Sequence, residues 1–257
     1  MALKTYDQYL ESLRKMRPNI YKWDELITDV TTHPATKRTV EGHAWTFKAA
    51  HDDKLRSKVT TTSHLTGDVI SRYLSIIMSP EDMYANSDMK RLMFHLTGTC
   101  TGGRCAGWTA LNATYIATWE MDRDLGTDYH QRFLKWLRYA QDNDITISGA
   151  LTDAKGDRAK APSQQDDKDV FLHLVEKRKD GIVVRGAKVM ICGVAAANEI
   201  FVIPGTGYKE DESDFALAFA ALAPRVAWRE VKLTPVGEDV YHLLAVVENL
   251  GFLPTNG

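Results

Sequence analysis

The stretch GTCTGGRCAGWTALNATY, residues 98–115, places Cys100 and Cys105 on either side of Thr-Gly-Gly-Arg, ahead of a run with helical character. Thiolates are soft donors, so two of them beside flexible glycines can face one soft metal or an iron–sulfur cluster. Two small buried hydrophobes satisfy the same spacing, since free cysteine packs well in apolar cores. The four-residue gap lacks the tight spacing of common zinc knuckles, and no second Cys or His pair stands at zinc-finger distance. Spacing alone leaves both readings open.

The elements that must position these thiols change character near residue 145. Before it, apolar residues recur at helical intervals: Tyr6, Tyr9, Leu10 and Leu13; Val69, Ile70, Tyr73, Leu74 and Ile77; Met89, Leu92, Met93 and Leu96. Ser79-Pro80-Glu81-Asp82 predicts a helix start, because Ser79 can cap, Pro80 needs no N–H at the first position and the acids complement the helix dipole. Two more helices are expected at about 106–120 and 127–143, the second with Phe133, Trp136, Leu137 and Ala140 on one face. From Ile145 the period moves towards two. DVFLHLVE, Lys179-Asp180-Gly181 and IVVRGAKVMI read as strand, turn, strand. Between the halves, LTDAKGDRAKAPSQQDDKD is dense in Gly, Pro and Asp without apolar period, as expected of a surface loop.

Composition removes several function classes. With 44% hydrophobic residues over 257 positions the chain can bury a large core. A formal charge of −2 and the lack of a basic, aromatic-interleaved cluster argue against nucleic acid as a partner. No run approaches the length of a membrane span, and the charge-interrupted MALKTYDQYLESLRKM is no signal peptide, so the expected location is cytoplasmic, where three cysteines stay reduced. His33 reads as a turn residue before Pro34, His64 and His95 as helical or near-helical, His173 as a strand residue and His130 as a structural helix start; none is assigned catalysis.

Residues 5 to about 204 resemble the 4-hydroxyphenylacetate 3-hydroxylase/4-hydroxybutyryl-CoA dehydratase family. The stretches that carry the resemblance are YDQYLESLRKMRPNIY, DVTTHP, RCAGWTALNATY, DLGTDYHQRFLKWLRYAQDNDI, GALTDAKGDRAKAPSQ and VEKRKDGIVVRGAKV. It implies an α+β chain built like acyl-CoA dehydrogenases: an N-terminal helical bundle (1–144), then an antiparallel β-domain (145–213), without the C-terminal helical domain. The cysteine pair and GALTDAKGDR resemble the CoA-dehydratase branch, lyases and isomerases that act on an acyl-CoA as homo-oligomers with FAD and a [4Fe–4S] cluster. By that resemblance Cys100 and Cys105 are two cluster ligands, although the family pattern has three residues between them and this chain four. The loop would lie along FAD through Thr152, Lys155, Gly156, Asp157, Arg158, Pro162 and Ser163, with Cys192 before Gly193 where dehydratases commonly carry Thr. Cys192 by itself reads as a buried strand residue. A flavin-dependent aromatic hydroxylase component and a non-catalytic binding module are the alternatives.

After about residue 214 the resemblance stops. VAWREVKLTPVGEDVYHLLAVVEN alternates like two antiparallel strands around a turn, and the segment weakly resembles the β-rich end of zinc carboxypeptidases, without their ligand motif. The expectation is a chain that lacks part of the flavin site and holds FAD weakly, with its own catalysis uncertain.

Overall fold

The computed structural model describes residues 3–16, 19–178, 181–202, 226–237 and 240–249. Helix α1 (Tyr6–Arg14) opens on a capping box: Thr5 accepts the Gln8 N–H, and the Gln8 side chain accepts the Thr5 N–H. Its inward residues Tyr9 and Leu13 pack on α2 (Lys37–Ala50) through Val40, Ala44 and Phe47. Tyr9 and Phe47 stack with centroids 4.5 Å apart. Between these helices lies a two-residue ladder, β1 (Tyr21–Lys22) against β2 (Glu25–Leu26).

A short helix α3 (Arg56–Val59) leads into β3 (Thr60–Thr62), which pairs antiparallel with β4 (Val69–Ser71). Residues 69–77 therefore do not form the helix that their apolar spacing predicts. They make β4 and a 3-10 turn at Arg72–Leu74, and the apolar side chains Ile70, Tyr73, Leu74 and Ile76 are all buried in this extended path. Burial from several sides gives a run of apolar residues no period that separates strand from helix. His64 accordingly sits in the turn between β3 and β4.

Helix α4 (Pro80–Thr97) starts where expected: Ser79 Oγ accepts the Asp82 N–H, and Asp82 accepts from the Ser79 N–H. Gly98, at φ 63, ends it. Helices α5 (Gly102–Leu125) and α6 (Tyr129–Asp142) follow as a packed pair, joined through Gly126 at φ 66. Met89 and Met93 of α4, Leu111 of α5 and Phe133, Leu137 and Ala140 of α6 share one core with Ile145 and Ile147. That core crosses residue 145 without a break.

The strands beyond α6 include one departure from an all-antiparallel plan. β5 (Ile147–Ala150) pairs in parallel with β8 (Glu199–Val202), Ile147 opposite Glu199 and Ala150 opposite Val202. A parallel neighbour needs a long crossover, and residues 151–198 supply it. Within that crossover β6 (His173–Arg178) and β7 (Gly181–Arg185) form the predicted antiparallel hairpin, Arg178 opposite Gly181. The second strand ends at Arg185 rather than continuing to Ile191, because Gly186 adopts φ 131 hard against the Phe171 carbonyl. β9 (Val226–Gly237) and β10 (Val240–Asn249) pair antiparallel as their alternation predicts, Leu233 opposite Leu243. No helix among the described residues is long and apolar enough to cross a membrane.

Candidate functional site

The first turn of α5 is the centre of the site. Gly102 and Gly103 are not a loop that lets two thiols swing; they are the first residues of the helix. Their lack of side chains admits the Cys192-Gly193 turn, since a Cβ on Gly102 would lie 2.5 Å from Cys192 Cβ and one on Gly103 2.7 Å from the Gly193 carbonyl. Gly193 itself has φ 68, and a Cβ there would meet the Gly103 nitrogen at 2.5 Å. One turn further, Gly107 lies against the Ile147 backbone of β5. Four-residue spacing puts Gly103 and Gly107 on one helix face, and this face is what β5 and the 192–193 turn rest on.

All three cysteines gather here. Cys100 precedes the helix and is exposed, Cys105 is half-buried against the main core, and Cys192 is exposed in its turn. Cys192 is thus not the buried strand residue that its neighbours in sequence predict. Burial raises the Cys100 thiol above its ordinary range, the Cys105 and Cys192 thiols add to the shift, and the Gly102 N–H offsets it in part. The Ser148 hydroxyl of β5 donates to the Cys192 carbonyl at 3.1 Å and pins the turn. Tyr73 hydrogen-bonds Thr101 across 2.8 Å, and burial pushes its phenol up to about 12, so it stays a neutral wall of the thiol site.

Two buried groups set where this turn stands. Arg104, 2% exposed, donates from Nη1 to Thr46 Oγ1 at 2.8 Å and from Nη2 to Asp144 Oδ1 at 2.9 Å, with its guanidinium between the Phe47 and Tyr73 rings. His43 of α2, which has no signal in the sequence, accepts the Gly103 N–H at Nε2 (2.9 Å) and so must donate from Nδ1 to the Thr39 carbonyl (2.7 Å). Only the neutral ring can do both. Burial lowers its pKa, so the native state resists protonation. Stability is therefore full above the unfolded histidine value of about 6.5 and falls as pH drops below it towards the lower native value. Chemical denaturation from pH 7.5 to 5 should show a smaller loss in His43→Gln than in the parent, with the remaining slope carried by His64 and His130, whose pKa values burial also lowers. Parallel slopes in parent and variant would refute this.

The second feature is the loop beyond β5. It lines a cavity of about 380 Å³, with Thr152, Lys155, Asp157, Arg158, Lys160, Pro162 and Phe171 among its walls. Asp153 and Lys188 form a buried ion pair that ties the loop's start to the far side of the crossover, and the Val189 N–H donates to the Thr152 carbonyl at 2.9 Å. Gly156 and Ser163 are not among the lining residues. Gly156 sits at φ 52 against the Gln165 amide, and Gln165 takes the Asp157 N–H at 2.9 Å, so that part of the loop spends its backbone donor on itself. Cys192 lies with the thiols. Among the described residues no group of three Cys, His, Asp or Glu side chains is arranged around a metal ion.

His33, His95, His130 and His173 lie in a turn, in α4, in the first turn of α6 and at the start of β6, as the sequence predicts. Asp153, Lys188 and His43 have no sequence signal; each owes its role to partners 35 to 60 positions away.

Comparison with known proteins places this arrangement. The model of the 4-hydroxyphenylacetate 3-hydroxylase N-terminal family matches residues 5–224, some twenty residues beyond the limit of about 204 that the sequence resemblance gives. The 4-hydroxybutyryl-CoA dehydratase/vinylacetyl-CoA-Δ-isomerase of Clostridium aminobutyricum is 40% identical over 218 residues, 85% of this chain and 44% of that one. A 4-hydroxyphenylacetate 3-monooxygenase oxygenase component of Geobacillus is 30% identical over 228 residues, 86% and 44% of the two chains. An oxygen-tolerant archaeal 4-hydroxybutyryl-CoA dehydratase from N. maritimus superposes with a TM-score of 0.78 at 34% identity, over 83% of this chain and 42% of that one. An oxygenase component of 4-hydroxyphenylacetate 3-monooxygenase complexed with FAD gives 0.67 at 25%, over 83% and 43%. The chain spans less than half the length of these relatives. By the extent of the match, and by the helices and loop that carry it, the chain belongs to the 4-hydroxyphenylacetate 3-hydroxylase N-terminal family.

Proposed function

We propose that this chain is the flavin-loop half of an acyl-CoA dehydratase of the 4-hydroxybutyryl-CoA type, with an acyl-CoA dehydrogenase-like architecture completed by further helices. The observation that carries the reading is the placement of Cys100 just before α5 and of Cys105 in its first turn, in a chain whose loop after β5 walls a cavity of its own. The residues suit the groups in part. Lys155, Arg158 and Lys160 give the cavity cationic donors for a diphosphate, and its volume accepts a portion of FAD, leaving the remaining surface to be covered from elsewhere. Cys100 and Cys105 offer two soft donors of the four a cubane takes.

When bound, FAD supplies one-electron chemistry on the acyl chain, and the cluster supplies a Lewis acid for the departing hydroxyl. This chain's own part is to hold and orient. Arg104 and His43 fix the helix end that carries the thiols, and the Asp153–Lys188 pair fixes the root of the flavin loop.

The experiment is titration of the purified chain with FAD and anaerobic reconstitution with iron and sulfide. Weak FAD binding is expected, and it should fall about tenfold in Lys155→Ala or Arg158→Ala, the effect of losing one charge-assisted contact of about 1.5 kcal/mol. Broad iron–sulfur absorption should appear in the parent and vanish in Cys100→Ser and Cys105→Ser. A flavin spectrum without that absorption would favour the aromatic oxygenase alternative, which the match to the Geobacillus protein supports. No flavin binding at all, and no chromophore, would favour a binding module.

A further inference from the structure

The third cysteine has no part in that reading as a cluster donor, yet it shares a wall with the first. Cys192 Cβ lies 2.5 Å, and Cys100 Sγ 3.7 Å, from the point a Cβ on Gly102 would occupy. The two atoms are therefore separated by no more than the sum of those distances, inside the space left by one missing side chain. Both cysteines are exposed, whereas Cys105 is half-buried and packed against the main core. The backbone that carries Cys192 is held from two sides, by Ser148 on its carbonyl and by the Gly193–Gly103 contact beneath it. Cys100 precedes α5 and follows the left-handed Gly98 that ends α4.

We propose that Cys100 and Cys192 are a redox-active thiol pair that closes to a disulfide across Gly102 when it meets a low-molecular-weight disulfide such as oxidised glutathione. The thiolate of one attacks the glutathione disulfide, forming a mixed disulfide and releasing one glutathione thiolate. The second cysteine, deprotonated, attacks the protein sulfur of that mixed disulfide and displaces the second glutathione. Two electrons pass from the protein to the glutathione pair, and the two thiol protons go to the released thiolates. Closure needs the Cβ atoms within about 3.5–4.5 Å and rotation about χ1 to join the sulfurs; the Cys192 turn is held against Gly102 and Gly103, so any approach of the Cβ atoms is made by the segment that carries Cys100 ahead of α5. Cys105, half-buried and packed against the main core, is less accessible to glutathione than the two exposed cysteines. If Cys100 also serves as a cluster donor, a point that rests on the function proposed above, the closed pair withholds that donor, so oxidation and metal loading exclude each other at this position.

The test uses the full chain, reduced and free of metal, incubated over a range of oxidised to reduced glutathione, quenched with acid, and mapped by non-reducing peptide mass spectrometry with thiol counting in denaturant. The free thiols should fall from three to one, with a peptide linking residues 100 and 192. Cys105→Ser should keep that link and lose both remaining thiols. Cys192→Ser should instead accumulate a glutathione adduct on Cys100. In Gly102→Ala, where the new Cβ would press on Cys192, the ratio of oxidised to reduced glutathione at half-closure should rise at least tenfold; Cys105→Ser carries the test if that variant does not fold. A link between Cys100 and Cys105, or mixed disulfides alone in the parent, would overturn the proposal. The readout involves neither flavin nor iron, so its failure leaves the cofactor reading standing, and failure of reconstitution leaves the thiol pair standing.

Discussion

Arg104→Ala should cost about 3–5 kcal/mol of unfolding free energy, the penalty for leaving one member of a buried ion pair without its partner. Arg104 and Asp144 have side chains 2% and 3% exposed and meet at 2.9 Å, so neither is screened by water. Asp144 holds φ 39, a left-handed backbone that an aspartate tolerates better than most residues, and its second oxygen accepts the Lys4 N–H at 3.2 Å. Removing the guanidinium therefore empties the space between the Phe47 and Tyr73 rings and leaves a buried carboxylate that keeps the Lys4 N–H as a donor. Adding Asp144→Asn to Arg104→Ala should recover part of the loss, because the orphaned charge goes while the shape remains. Urea unfolding at constant m-value reads both effects. A loss under about 1 kcal/mol for Arg104→Ala, the range of a solvent-screened pair, would mean that water reaches it. Since Arg104 lies between Gly103 and Cys105, the same variant should also loosen the thiol site.

The second large effect is expected at Gly107. A Cβ there would sit inside any permitted distance of the Ile147 carbonyl and within 2.6 Å of its carbon, and both are backbone atoms that cannot rotate away. Gly107→Ala must separate α5 from β5, at about 3 kcal/mol, the upper end of the usual cost of overpacking. Gly98→Ala is the control. Gly98 has φ 63 but open space around its missing side chain, so the cost there is only that of the left-handed conformation, about 1–2 kcal/mol. Equal losses at the two glycines would show that conformation, not the α5–β5 contact, sets the penalty. Because β5 carries Ser148 and leads into the loop proposed above to line FAD, that proposal makes Gly107→Ala weaken FAD binding as well as stability, whereas Gly98→Ala should affect stability alone.

Features that depend on neighbours along the chain are legible in the amino-acid sequence itself. The Ser79-Pro80-Glu81-Asp82 start of α4 is a capping box because its donors and acceptors lie within three residues. The hairpin of β6 and β7, the pair β9 and β10 and the amphipathic face of α6 follow from local period in the same way. The two thiols are legible as a chemical possibility, and the family match turns on long stretches of sequence. Contacts between distant segments are not legible. The apolar run 69–77 is helical by spacing but forms β4 and a 3-10 turn, since Tyr73, Leu74 and Ile76 are buried in one core with residues of α4, α5 and α6. Gly102 and Gly103 have the composition of a flexible turn; tertiary packing makes them a helix start with the Cys192 turn against it. Cys192 follows an apolar strand pattern in sequence, and only the break at Gly186 and the parallel pairing of β5 with β8 carry it to the thiols. His43 has no local signal, because its one informative partner, the Gly103 N–H, is 60 positions away. Hydrogen bonds and side-chain volumes inside one turn are set by the residues within that turn, whereas burial, close backbone approach and the meeting of three separate thiols depend on which segments the whole chain packs together.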